Sequence, residues 1–149
     1  MKPNLILLVD ADGDSLGSLL EAAARTGHGV RVARTSREAF EILETELRHL
    51  DVVVVDVDPG AHGLALLEAV SGCHNKPPLL VLSGFEQAYM DPVAQRHGAT
   101  ACLCKPFSID QLRLALERVI ANAPGRAEFT WCDKWGSPCE HRWHDATTH

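Results

Sequence analysis

Six polar side chains follow apolar segments of the chain, at positions where their chemistry can be combined. They are Asp10 and Asp12, Asp56 and Asp58, Ser83, and Lys105. Carboxylate oxygens are ligands that Mg²⁺ takes from proteins, and a phosphoryl group can supply further oxygens to the same cation. An aspartate can also act as a nucleophile that carries a phosphoryl group, and an ammonium or a hydroxyl can donate to phosphoryl oxygens. The residue types therefore predict a site for a divalent cation and a phosphoryl group.

The segments before these residues are predicted to be strands of one parallel sheet. Four short apolar runs occupy residues 5–9, 52–55, 79–82 and 101–104, and residues 30–33, which include Arg31, form a further brief strand-like segment. Continuous apolar runs of this length are typical of strands buried on both faces. Helical patterns alternate with these runs, which indicates a parallel α/β sheet with helices on both sides. Because ligands bind at the carboxyl ends of the strands in such folds, the six side chains are expected at one edge of the sheet.

The helices between the strands carry recognisable start signals. Thr35 with Glu38, and Ser108 with Gln111, have the spacing of capping boxes, in which a hydroxyl and a carboxylate or amide satisfy the first backbone N–H groups. A proline interrupts the pattern before the last strand. The fourth helix is therefore predicted to be short, with Asp91 as its N-cap and the proline at the first helical position.

Composition limits the class of protein. The 149 residues are 46% hydrophobic and 23% charged, which is typical of a globular domain with a real core. A formal net charge of −6 argues against binding to the phosphate backbone of nucleic acid. No apolar run approaches the roughly 20 residues that cross a bilayer, and the first residues lack a cleavage-site pattern. The five cysteines are an odd number, which favours reduced thiols. We therefore expect a cytoplasmic location and no contact with a membrane.

Several motifs in this order resemble the receiver domains of two-component response regulators, over residues 4 to 121. They are Val9-Asp10, Asp56 followed by Pro59 and Gly63, Ser83-Gly84, Gly98-Ala99, and Lys105-Pro106-Phe107. The resemblance implies a flavodoxin-like, doubly wound (βα)5 fold with five parallel strands in the order 2-1-3-4-5. It also implies a cis peptide bond before Pro106, which is plausible because the trans preference before proline is small.

The resemblance implies a role for each matching residue. Asp56 would accept a phosphoryl group from a histidine kinase. Asp10 and Asp56 would hold Mg²⁺ through their carboxylates, and Asp58 would do so through its backbone carbonyl. Lys105 would pair with the phosphoryl oxygens, and Ser83 would move towards them to report the occupied state.

The sequence departs from the family pattern at three places. The second of the two adjacent acidic residues that usually end the first strand is here Ala11, so Asp12 is either a compensating metal ligand or a residue of the helix start. Asp14 is interpreted as a helix cap. The loop after Asp56 is one residue shorter than usual. The position three before the lysine, often aromatic in the family, is Cys102, which cannot swing as an aromatic ring does.

The last part of the chain differs in composition, so we divide the sequence into a receiver domain, 1–122, and a tail, 123–149. The tail contains all three tryptophans, whose large apolar area favours packing on the receiver domain or on a partner. It also contains four residues of types that bind Zn²⁺, namely Cys132, Cys139, His141 and His144. The cysteines are further apart than the two to four or so residues typical of zinc sites, so a zinc site and a docked tail stay as alternatives.

These observations lead to one hypothesis and one alternative. The hypothesis is a single-domain response regulator, not an enzyme, that accepts a phosphoryl group at Asp56 and acts by binding a protein partner. Its partners would be a histidine kinase or phosphotransfer protein and a downstream protein, without nucleic acid or membrane, and it would be a monomer or homodimer. The alternative, motivated by Ala11 and the short loop, is a pseudo-receiver that binds proteins without phosphorylation.

Overall fold

The strands and helices alternate along the chain as the sequence pattern predicts. The computed structural model describes residues 5–60, 62–73 and 76–121, and the backbone of 129–132 and 138–143. In chain order the elements are β1 (Leu5–Val9), α1 (Leu16–Thr26), β2 (Gly29–Ala33), α2 (Ser36–Glu46), a 3-10 helix (Leu47–His49), β3 (Leu50–Val57), α3 (Gly63–Ser71), β4 (Leu79–Ser83), α4 (Gln87–Arg96), β5 (Ala101–Cys104), α5 (Ile109–Ala121), β6 (Phe129–Cys132) and β7 (Pro138–Trp143).

The first five strands form a parallel sheet in the order β2-β1-β3-β4-β5. Two apolar clusters cover its faces. One joins β1, β3 and β4 to α2, α3 and α4, and includes Leu43, Leu67 and Met90. The other joins the same strands to α1 and α5, and includes Leu19 and Leu112. Because side chains alternate between the two faces of a strand, apolar residues throughout these strands are buried on both sides. The predicted doubly wound fold is confirmed.

Two strands of the tail extend this sheet beyond β5. Strand β6 pairs in parallel with β5, with Cys102 in register with Trp131, and β7 pairs antiparallel with β6. The edge of β5, which a five-stranded sheet leaves without a partner, is therefore hydrogen-bonded to this chain's own backbone. The side chains predicted as zinc ligands lie outside the described residues; they are Cys132, Cys139, His141 and His144.

Helix α4 begins earlier than predicted. It starts at Gln87, after Glu86, and contains Pro92 in its interior. The Glu86 carbonyl accepts hydrogen bonds from the backbone of residues 89 and 90, and Met90 is fully buried in the core. Packing of this first turn outweighs the hydrogen bond that an interior proline forfeits. The prediction that Asp91 is the N-cap is therefore wrong.

The two predicted capping boxes are present. Glu38 donates its backbone N–H to the Thr35 hydroxyl at 3.1 Å. Ser108 and Gln111 form a reciprocal pair, with the Gln111 N–H donating to the Ser108 hydroxyl at 3.0 Å and the Ser108 N–H donating to Gln111 Oε1 at 2.6 Å. The second pair fixes the start of α5 at Ile109, shortly after Lys105. Within the part of the chain that the structure describes, no helix has the length and apolar character to span a bilayer.

Candidate functional site

Asp56 is the centre of the polar edge of the sheet. It lies one residue before the end of β3, and its residue exposure is 3%. The Lys105 ammonium donates to its two carboxylate oxygens, at 2.9 Å to Oδ1 and 3.0 Å to Oδ2. The Ser15 hydroxyl also donates to Oδ2. A buried carboxylate requires such partners, because burial without them strongly disfavours its charge.

Lys105 reaches this carboxylate from the turn after β5. Its backbone N–H donates to the Ser83 carbonyl at 2.7 Å, and its peptide bond to Pro106 is cis. The ammonium also contacts both oxygens of Asp58, at 3.1 and 2.9 Å. One lysine therefore bridges two carboxylates, and the side chain of Asp58, not only its backbone, belongs to the site.

Gly84 makes room for the second carboxylate. A Cβ atom added there would collide with the Asp58 carboxyl group and come within 3.2 Å of the Pro59 ring. Gly63 has a similar role on the other side of the loop, because its Cβ would lie 2.7 Å from the Asp56 carbonyl oxygen. Both glycines are needed because neighbouring atoms occupy the space that a side chain would take.

Asp10 lies beside Asp56 at the end of β1 and is also buried. Its carboxylate accepts backbone N–H donors from Asp12 and Ser15, each at 3.1 Å. Asp12 thus contributes its backbone to the site, while Asp12 itself is exposed. The N-cap of α1 is Ser15, so the prediction that Asp14 caps this helix is wrong. Asp14 instead lines the cavity described below. Ala11 packs against the apolar cluster on one face of the sheet.

The charges of the site are unevenly balanced. Burial, with a smaller contribution from the charge of Asp10, raises the pKa of Asp56 to about 6, although the hydrogen bonds from Ser15 and Lys105 and the charge of Lys105 lower it. Burial alone would lower the pKa of Lys105, but its hydrogen bonds to Asp56 and Asp58 and their charges raise it above its usual value. The ammonium is therefore held in its charged form, while ionisation of Asp56 remains costly.

The donor set fits a divalent cation. The carboxylates of Asp10, Asp56 and Asp58 carry three negative charges when ionised, and Lys105 supplies one positive charge, which leaves a surplus of two. Among the described residues no three side chains form a complete metal cage. Mg²⁺ needs no such cage, since it uses one or two carboxylates together with water and phosphoryl oxygens. The carboxylates of Asp10 and Asp56 and the carbonyl of Asp58 are the groups that would hold it.

Ser83 and the cysteines of β5 lie next to this cluster. Ser83 is fully buried. Its hydroxyl accepts the Phe85 N–H at 3.0 Å and is thus bonded to the backbone of Phe85 rather than to Asp56. Cys102 is fully buried in the core. Cys104 is in register with Ser83 on the neighbouring strand, and a hydrogen bond with Cys102 lowers the pKa of its thiol. A small buried thiol thus takes the place where the family resemblance implies a mobile ring.

An open cavity of about 430 Å³ gives access to Lys105 and Asp58. Ser15 lines it from the start of α1, and Pro106 and Phe107 line it from the turn before α5. Sequence reasoning missed Ser15, because a serine directly before a helix is normally explained by capping. The sequence could have indicated Ser15 only through its position, because it lies five residues after Asp10 in the loop that follows β1.

A doubly wound α/β fold with acidic residues and one lysine at the carboxyl ends of its strands is typical of a class of signalling domain. Residues 6–117 match the response regulator receiver domain. The chain therefore belongs to the receiver domain family of two-component response regulators, whose members are signalling domains rather than enzymes as a class.

Curated relatives are longer proteins. The transcriptional regulatory protein YesN of Bacillus subtilis is 33% identical over 109 residues, which are 72% of this chain and 27% of that protein. The DNA-binding transcriptional regulator NtrC of Escherichia coli is 28% identical over 123 residues, 82% of this chain and 26% of that protein. This chain thus spans about a quarter of the length of these relatives. With such relatives, the prediction that nucleic acid is not a partner is not supported.

Solved structures share the fold. The chemotaxis response regulator CheY4 of Vibrio cholerae has a TM-score of 0.64 and 27% identity, with 78% of this chain and 98% of that chain covered. NtrX of Brucella abortus has a TM-score of 0.68 and 28% identity, with 80% of this chain and 27% of that chain covered.

Proposed function

We propose that Asp56 accepts a phosphoryl group from the phosphohistidine of a histidine kinase or phosphotransfer protein. The observation that carries this proposal is the contact of Lys105 with both oxygens of Asp56, in a buried acidic site beside an open cavity. In the transfer, an Asp56 oxygen forms a bond to phosphorus while the P–N bond of the donor breaks. The electron pair of that bond leaves with the imidazole nitrogen, which takes up a proton.

The remaining residues of the site act on charge and position. Lys105 is held as an ammonium between two carboxylates, so it serves as a point charge for the incoming phosphoryl oxygens once they displace Asp58. Mg²⁺, when bound, neutralises negative charge on the phosphoryl oxygens. Ser83 exchanges its bond to Phe85 for one to a phosphoryl oxygen, and this movement reports that the site is occupied.

The output is a change in the affinity for a protein partner, in a cytoplasmic monomer or homodimer. Movement of Ser83 reaches β5 through Cys104, its neighbour in register. Since Cys102 is small and buried in the core with Met90 and Val93, the change is transmitted by packing between β5 and α4 rather than by rotation of an aromatic ring.

The test is covalent labelling with a small phosphoryl donor. The protein is incubated with acetyl phosphate and Mg²⁺, and its intact mass is followed over time, with Asp56→Asn as the matched control because an amide has the same shape without the charge. We expect the mass of one phosphoryl group on the natural protein and none on the variant. No adduct on the natural protein, or equal labelling of both, would refute the proposal.

A phosphorylation-independent interaction module is the second candidate. Two observations favour it: Ala11 lacks the carboxylate usual in the family, and Asp58 already occupies Lys105 with both of its oxygens. For this candidate, partner binding is the same with and without acetyl phosphate, and Asp56→Asn leaves it unchanged. A difference in partner affinity after labelling would exclude it.

A further inference from the structure

Ser15 stands at the helix start but does not use its hydroxyl to cap the helix. It is the N-cap residue of α1, and its side chain makes no capping hydrogen bond. Its backbone carbonyl accepts the N–H of Leu19 at 2.9 Å, so the residue is fixed to the first turn. A serine at this position normally accepts a backbone N–H of the helix. The hydroxyl of Ser15 instead donates to Oδ2 of Asp56.

The same residue joins the two buried carboxylates of the site. The N–H of Ser15 donates to Oδ2 of Asp10 at 3.1 Å, while its hydroxyl contacts Asp56. The exposed fraction of Ser15 is 3%. With its backbone tied to Asp10 and to the helix, and only one rotatable side-chain bond before the oxygen, Ser15 holds its hydroxyl in a defined place.

The donors on Asp56 are not distributed equally. Among the described residues, Oδ2 accepts from Ser15 and from Lys105, whereas Oδ1 accepts from Lys105 alone. Each carboxylate oxygen has about two lone pairs for such contacts. While Lys105 contacts both oxygens, Oδ2 is therefore filled and Oδ1 keeps a free lone pair; once Lys105 turns to phosphoryl oxygens, Oδ2 regains a lone pair for Mg²⁺. Lys105 has a long, flexible stem and can turn towards phosphoryl oxygens, whereas the short side chain of Ser15 stays with Oδ2.

We propose that Ser15 is a positioning residue for phosphoryl transfer, and that its hydroxyl holds Oδ2 of Asp56 so that Oδ1 attacks phosphorus. This inference rests on the function proposed above. Oδ1 forms the P–O bond, the bond from phosphorus to the donor atom breaks, and its electron pair leaves with the donor. Without the hydroxyl the carboxylate rotates between orientations, and the reacting oxygen spends less time in line with phosphorus.

The test compares three variants in labelling by acetyl phosphate with Mg²⁺. Ser15→Ala removes the hydroxyl, Ser15→Thr keeps it, and Ser71→Ala is the control. Ser71 also donates one hydrogen bond, to the Glu68 carbonyl at 2.9 Å, but it ends α3 and takes no part in the site. Rates are measured over a range of acetyl phosphate concentrations, which separates the maximal rate from the half-saturating concentration.

A hydrogen bond to a charged group corresponds to about 10- to 100-fold in an equilibrium or rate constant. We expect Ser15→Ala to lower the maximal rate by about tenfold or more, with the half-saturating concentration within about twofold of that of the natural protein. Ser15→Thr restores the rate to within about threefold, and Ser71→Ala leaves it unchanged. Equal maximal rates for Ser15→Ala and the natural protein, or a Ser15→Thr variant as slow as Ser15→Ala, overturn the inference.

A second measurement does not depend on phosphorylation. The urea midpoints of Ser15→Ala, Asp56→Ala and the double variant are compared in EDTA. If Ser15 acts through Asp56, the effect of Ser15→Ala differs between the natural and the Asp56→Ala backgrounds; additive effects overturn the inference. Labelling of the natural protein with no loss in Ser15→Ala refutes only the role of Ser15, whereas absence of labelling in the natural protein refutes the proposed function and this inference together.

Discussion

Replacing the central carboxylate should stabilise the protein, and by an amount that depends on pH. The pKa of Asp56 rises from its ordinary value of 3.8 to about 6, chiefly through burial. Since one pKa unit corresponds to about 1.4 kcal/mol, the ionised group disfavours the folded state by up to about 3 kcal/mol. That is a large part of the roughly 5–15 kcal/mol by which a domain is stable.

The direction of the pH dependence follows from linkage. Below the unfolded pKa of 3.8 both states hold the proton, so Asp56 has no effect on the free energy of unfolding. As the pH rises, the unfolded chain ionises first, and stability falls until the pH passes the folded pKa of about 6. Asp56→Asn mimics the protonated carboxyl group and removes this loss. The variant should match the natural protein near pH 4 and exceed it by up to about 3 kcal/mol above pH 7.

The assay is urea unfolding in EDTA at about pH 4, 5.5 and 7.5, with the slope of the unfolding free energy against urea checked for constancy. Asp12→Asn is the matched control for the removal of an aspartate charge, since Asp12 is exposed at the same edge of the sheet. A difference between Asp56→Asn and the natural protein that stays constant from pH 4 to 7.5, or that shrinks as the pH rises, would refute the reasoning.

Three further predictions follow from single contacts. Asp58→Asn should label about two- to tenfold faster with acetyl phosphate, because Lys105 is released from one of its two carboxylates; slower labelling would contradict this. Gly84→Ala should lower the free energy of unfolding by about 1–3 kcal/mol, because its Cβ collides with a carboxylate. In the same urea assay Gly17→Ala, at an open helical position, should raise it by about 0.5–1 kcal/mol, and equal effects would contradict the steric argument. Cys104 should be alkylated by iodoacetamide faster than the other described cysteines, because its thiol has a lowered pKa; peptide masses would show this, and equal rates would contradict it.

The sequence predicted the sheet well, because its strands consist of apolar residues that can be buried on both faces. In runs such as residues 52–55, apolar side chains point to both faces of the sheet, so helices must cover both faces. The sequence also predicted that Asp56 and Lys105 lie near each other. Both stand at the carboxyl ends of strands in one parallel sheet, and these ends share an edge.

The rest depends on contacts that a linear pattern does not contain. The start of α4 is decided by the burial of Met90, which outweighs the local preference of Pro92. The side chain of Asp58 enters the site because Gly84, 26 residues further along the chain, leaves space for it. Strands β6 and β7 lie in a segment whose cysteines and histidines suggested a metal site, and their pairing depends on the free edge of β5.

The loss of a carboxylate at Ala11 and the contact of the Asp58 side chain with Lys105 can be understood together. The resemblance to receiver domains implies two adjacent acidic residues and the phosphoacceptor, and Ala11 removes one of these carboxylates. Three buried or partly buried acidic residues nevertheless remain at this edge of the sheet: Asp56 and Asp58 contact Lys105 through their side chains, and Asp10 lies near Asp56. The surplus of negative charge that suits a divalent cation is thereby kept, but the third carboxylate now binds the lysine. Attraction of the cation is therefore retained at the expense of the freedom of Lys105, so an incoming phosphoryl group must compete with Asp58 before it can use that ammonium.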